Sequence, residues 1–170
     1  MKRNNRQVRK CVGFTFENER ASVDSWLYKA ESFYEAAIVL KQSGNPKASH
    51  AYFYNAAIAI ELIMKTVLVS RGQSAPDHHK LLELAQKIDL SLSKAQMDTL
   101  ELLSELVIWS GRYPVPKNDD FWHKYRDVIQ EKHIVRKGNC TLSSSKSFPS
   151  VENLNKIWEI YHLQIQEQSA

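Results

Sequence analysis

The amino-acid sequence predicts an all-α fold, an antiparallel, up-down bundle of about five to six helices. Three observations carry this. Apolar residues recur at spacings of three and four through most of the chain, while strand-like alternation is scarce. Only five Gly and five Pro punctuate 170 residues, and the turns they mark are short. Residues 54–68 are helical in period and apolar almost all the way round, so every face needs a neighbour to exclude water and the segment belongs at the centre of a bundle.

The elements follow in chain order. Residues 1–22 read as a basic tail and a short extended lead-in. Lys2, Arg3, Arg6, Arg9 and Lys10 stand in the first ten residues without an acid, and Phe14 and Phe16 alternate with polar neighbours at 12–16. Residues 23–168 read as a single bundle. Its first helix spans about 23–41, with Trp26, Ala30, Phe33, Ala37 and Leu40 as one apolar stripe. Gly44-Asn45-Pro46 turns the chain, and Pro46 suits the first turn of a helix over 47–70, where its missing N–H costs little. Gly72 stops that helix.

Ser74 or Asp77 is placed to cap a short helix over 79–88 that turns Leu81, Leu82 and Leu84 inward. Ser91 or Ser93 caps the next helix, to about residue 110, which buries Leu100, Leu103, Val107 and Ile108. Arg112-Tyr113-Pro114 stops it, since Pro114 removes a donor and biases Tyr113 to extended backbone. A helix over 119–135 aligns Phe121, Tyr125 and Val128. Residues 136–150 read as a loop. The last helix, 151–166, places Leu154, Ile157, Trp158, Tyr161 and Ile165 on one side, and the polar end through Ala170 is expected to fray.

Composition limits the function classes. The chain is 43% hydrophobic and 25% charged, as in a soluble globular domain. No apolar run reaches the ~20 residues that cross a bilayer, and no apolar core of a signal peptide opens the chain, so no membrane partner is expected. Cys11 and Cys140 lack metal-ligand spacing and read as reduced thiols of a cytoplasmic protein. The net charge of +4 comes from the tail, because the other 160 residues hold 18 basic and 19 acidic side chains. A basic tail strengthens phosphate binding without sequence preference, or is merely solvated. The glycines are scattered and form no phosphate loop, so neither cofactor nor metal is expected.

Glu61 and Lys65 stand four apart in the favourable order for a pair along one helix face. Inside such an apolar helix the pair must meet water at a groove or be compensated. His79 lies at the start of a helix, where free N–H groups favour anions, or caps and packs there. Arg112 and Tyr113 suit a phosphate and a stacked base, or form a helix stop in which the guanidinium binds a terminal carbonyl.

Together, the long helix with Glu61 and Lys65, the run His79-Lys80-Leu81-Leu82-Glu83-Leu84 and the ending Arg112-Tyr113-Pro114 resemble the HEPN superfamily (higher eukaryotes and prokaryotes nucleotide-binding) over about residues 23–116. The resemblance implies a helical bundle that often dimerises. It also implies RNA cleavage, nucleotide binding, or partnership with nucleotidyltransferases in toxin–antitoxin and defence systems. Its nuclease members carry Arg, a polar residue and then His after four to six intervening positions, which Arg126 and His133 match here.

Seven helical residues turn about 700°, so Arg126 and His133 would point the same way about 10.5 Å apart. A two-fold dimer through that face would gather two of each around one phosphate. Arg would stabilise the phosphoryl oxygens and His would move the proton of a ribose 2′-hydroxyl, with no metal required. The match falls beyond Arg112-Tyr113-Pro114, however, in an added helix, and that ending resembles the non-nuclease branch. The first expectation is therefore a non-catalytic, homodimeric module. It would bind RNA, nucleotide or a protein partner through residues such as Lys65, His79, Arg112 and Tyr113. A ribonuclease using Arg126 and His133, and a purely structural interaction protein, are the alternatives.

Overall fold

The computed structural model describes residues 5–168. Lys2 and Arg3 of the basic tail, and Ser169 and Ala170 of the fraying end, lie outside the described residues. Among the described residues the fold is built of eight α-helices and one small hairpin. Two short helices, α1 (Asn5–Cys11) and α2 (Phe16–Ala21), flank residues 12–15, where the chain turns in place of the expected extended piece. Thr15 caps α2 by accepting from the Asn18 N–H, and Asn18 Nδ2 donates to Gly13 O at 2.6 Å. These local bonds offer the backbone more than alternation of Phe14 and Phe16 could.

Helix α3 (Val23–Gln42) is capped by Ser22. A single 3₁₀ turn (Pro46–Ala48) then leads into α4 (Ser49–Ser70). The short connection makes α3 and α4 antiparallel neighbours. Helix α4 is the hub of the core, packing against α3, α5 (Leu81–Ile88), α6 (Lys94–Glu105) and α8 (Val151–Glu167). Ala56, Ala57, Ala59, Ile60, Ile63, Met64, Val67 and Leu68 are almost without exposed surface. With its 3₁₀ turn this helix is long and apolar enough to cross a bilayer by length and composition, which no uninterrupted run in the sequence reached. Of its most apolar stretch, 67% is buried in the bundle, as in a core helix.

The other elements refine the expected boundaries. Neither Ser74 nor Asp77 caps α5; the Ser104 hydroxyl of α6 instead accepts from the Leu81 N–H at 3.0 Å. Ser93 caps α6 in a full capping box with Gln96. Beyond Glu105 the helix widens into a π turn (Leu106–Ser110). Helix α7 (Asp119–Val128) widens likewise (Ile129–His133) and does not reach residue 135. The expected loop there is partly a hairpin of β1 (Ile134–Lys137) and β2 (Cys140–Ser143), antiparallel, with Val135 opposite Leu142 and Arg136 opposite Thr141. Helix α8 closes the bundle, stacking Trp158 on Tyr34 of α3 at 4.3 Å between ring centres.

Candidate functional site

The six candidate residues separate into three places. Glu61 and Lys65, one turn apart on α4, are both buried, with Lys65 Nζ donating to Glu61 Oε1 at 2.6 Å. His79, whose side chain is half exposed, brings Nδ1 to 2.9 Å from Glu61 Oε2 and 3.0 Å from Oε1. The carboxylate is thus compensated from both sides, as a buried charge must be. This network joins α4 to the segment entering α5.

Arg112, Tyr113 and Arg126 come together elsewhere. The π turn after α6 ends at Gly111, where a Cβ would stand 2.6 Å from Leu106 O and 2.7 Å from Tyr54 Cδ2. Only glycine lets the turn lie this close to α4. Past it, Arg112, Tyr113 and Pro114 face Trp122, Arg126 and Ile129 of α7 and its π turn across a cleft of about 430 Å³. A second hollow of about 760 Å³ shares Trp109, Arg112 and Tyr113 and continues toward Val115 and Phe121. The floor is fixed by Trp109, which packs edge-on against Tyr125 at 5.0 Å and donates from Nε1 to Glu105 at 2.8 Å. The Tyr125 hydroxyl in turn accepts from Ser110 Oγ at 2.9 Å.

The two arginines differ. Arg112 donates from Nη2 to Ile108 O at 2.6 Å, the carbonyl-binding role open to it from sequence, and its guanidinium lies 5.3 Å from the Tyr113 ring centre. Arg126 lies 5.7 Å from the Trp122 ring centre and has neither a carboxylate partner nor a hydrogen-bond acceptor among the described residues. Tyr113 is 56% exposed and Trp122 38% exposed, so both rings face solvent at the cleft. One wall residue had no signal in the sequence. His50, at the start of α4 and more than fifty residues earlier, is brought to the cleft by packing alone.

His133 does not share the cleft. It is fully buried, with Nδ1 donating to Ser147 O at 2.9 Å and Nε2 without a partner among the described residues. Burial pushes its imidazole below the ordinary histidine range, against the opposing pull of the Ser147 carbonyl, Asp98 and Glu101. The common direction inferred from the seven-residue spacing with Arg126 is therefore corrected. The π turn adds a residue to the last turn and carries His133 into the interior.

A family model described as the HEPN domain matches residues 23–135, and the chain belongs to that family, one of nucleotide-binding and ribonuclease-type modules. Comparison with curated proteins and with solved structures found no match.

Proposed function

We propose that the chain is a non-catalytic HEPN module that binds a nucleotide, free or within RNA, in the cleft between Arg112-Tyr113 and α7. The observation that carries this is the Arg126 guanidinium, stacked over Trp122 but without an ion-pair or hydrogen-bond partner among the described residues, in a cleft it shares with the solvent-facing Trp122 and Tyr113 rings. An exposed cation attracts a phosphate, and an aromatic face receives any base at ~1–3 kcal/mol per stacked base. His50 adds a donor or acceptor to the lining of the cleft. The Arg126–His133 ribonuclease draws no support from the geometry, because His133 is enclosed while Arg126 faces the cleft.

The test is titration with AMP and with a short single-stranded RNA, read as tryptophan fluorescence and as RNA anisotropy. Arg126→Ala should weaken both by roughly tenfold, the loss of about one charge-assisted hydrogen bond. Trp122→Ala should weaken both and abolish most of the fluorescence change. Absence of saturable binding by the parent protein would sink the proposal.

A further inference from the structure

We infer that the β1–β2 hairpin is a second contact for the phosphate backbone of an unpaired RNA strand held at the Arg126 cleft, an inference that rests on the nucleotide reading of that cleft. The family match ends at residue 135, where the hairpin has barely begun, so the hairpin is an addition to the family's matched span. Of its eight strand residues, only Ile134 is even partly buried. An isolated two-stranded ribbon is marginal in water, and this one adds almost nothing to the core.

It is nevertheless held firmly at its base. Ser144 N–H donates to His133 O at 2.8 Å, Thr99 Oγ1 of α6 donates to Ser147 O at 2.8 Å, and Ser147 Oγ donates to Lys132 O. Lys132 is itself anchored to Glu101 and Asp98 of α6. The fold thus projects an exposed ribbon on a fixed root.

Its chemistry is one-sided. No acidic residue occurs between Glu131 and Glu152. Arg136, Lys137 and Lys146 are exposed and enter no ion pair among the described residues. The cross-strand pair Val135 and Leu142, 41% and 49% exposed, shares the face of the ribbon that carries Lys137, while Arg136 projects from the opposite face. Cations flanking an apolar step match a chain that alternates phosphates with accessible base faces. A duplex hides those faces, which favours the single strand. A second copy of this chain pairing along the open edge of β1 is disfavoured, because it would set Arg136 and Lys137 against cations of like sign. The hairpin also follows directly from the cleft: Ile129 lines the cleft, and β1 starts five residues later, less than about 8 Å along the helix axis.

The experiment compares AMP with a single-stranded RNA of about fifteen nucleotides, within the span such proteins cover. Binding to each is measured at several salt concentrations for the parent, R136Q/K137Q, K146Q, R126A and the control K47Q/K87Q. Circular dichroism checks each fold, and K146Q, outside the strands, gives a second route should the double variant unfold. For R136Q/K137Q, RNA affinity should fall roughly tenfold and the slope of log affinity against log salt should shrink by about 1.4, two phosphates' worth, with AMP binding unchanged.

Unchanged RNA affinity and slope in both hairpin variants, with R126A still impaired, would overturn the hairpin contact and leave the cleft standing. Equal weakening by the control would overturn it as general charge attraction. RNA binding that needs the hairpin but ignores R126A, with no AMP binding, would overturn the cleft reading and the two-contact path with it. Concentration-dependent self-association lost in R136Q/K137Q, without any change in RNA binding, would overturn it in favour of a protein interface.

Discussion

His79 Nδ1 lies within 3.0 Å of both carboxylate oxygens of Glu61, bridging the middle of the central helix to the chain entering α5. With Lys65 Nζ on the same carboxylate, three ionisable groups form one network at the hub of the core. Glu61→Leu strands the buried Lys65 ammonium and should lower stability by about 3–5 kcal/mol. Lys65→Met leaves the carboxylate its His79 contact and should cost less, whereas removing the pair together strands no buried charge. The double variant Glu61→Leu/Lys65→Met should come close to the parent or exceed it. Urea unfolding of the three variants checks this. Additive losses in the double variant would show that the network stabilises by more than mutual compensation.

Gly111 is where the candidate cleft meets the core. A methyl group there would run into Leu106 O, the carbonyl that accepts Gly111's own N–H at 3.0 Å, and into the Tyr54 ring. Backbone cannot yield as a flexible side chain can. Gly111→Ala should cost about 1–3 kcal/mol, lowering the melting temperature by roughly 2–4 °C per kcal/mol. Because Arg112 and Tyr113 follow directly, AMP affinity should fall in the same variant. A fully stable variant with normal affinity would mean that the turn relaxes without cost.

How much of this was legible differs element by element. The heart of the bundle was: α4 shows its burial in the almost all-round apolar character of residues 56–68, interrupted only by Glu61, Lys65 and Thr66, and the Glu61–Lys65 pair follows from helical spacing alone. The stop at Arg112-Tyr113-Pro114 was equally readable. His50 was not, because its place in the cleft depends on how α4 packs against the turn beyond α6. The hairpin was hidden because Ile134 and Val135 continue a helical pattern, and its root is fixed by tertiary bonds among His133, Ser147 and Thr99 that no local pattern announces. The widening of two helices into π turns has no simple sequence mark, and it was this that misdirected the pairing of Arg126 with His133.

Tyr161 offers a test of a different kind. Its ring is fully buried on α8, and its hydroxyl has no hydrogen-bond partner among the described residues. Burial drives its ionisation far above the usual tyrosine range. An unpaired buried hydroxyl costs about 1–3 kcal/mol in desolvation, so Tyr161→Phe should leave stability unchanged or raise it by about 1 kcal/mol. Tyr52→Phe is the contrast: its hydroxyl donates to Pro149 O at 2.9 Å, and its removal should destabilise by about 1 kcal/mol. If both variants lose stability equally in chemical denaturation, the Tyr161 hydroxyl is satisfied in solution.

His133 makes the stability of the hairpin root depend on pH. The folded protein holds the imidazole below the ordinary value of 6.5, chiefly through burial. The unfolded chain therefore takes up this proton first as pH falls. Its contribution to stability is fully present above about pH 6.5 and is lost as pH falls from there toward the lowered folded value. Asp98 and Glu101 pull the other way and narrow the window, while Lys132 widens it. Thermal unfolding between pH 7.5 and pH 5 should show a decline, and His133→Asn, which keeps a donor for Ser147 O but cannot titrate, should flatten it. Hydrogen exchange should place the loss at the root first, in amides such as Ser144, whose N–H donates to His133 O. A variant declining as steeply as the parent would show that the pH dependence does not originate at His133.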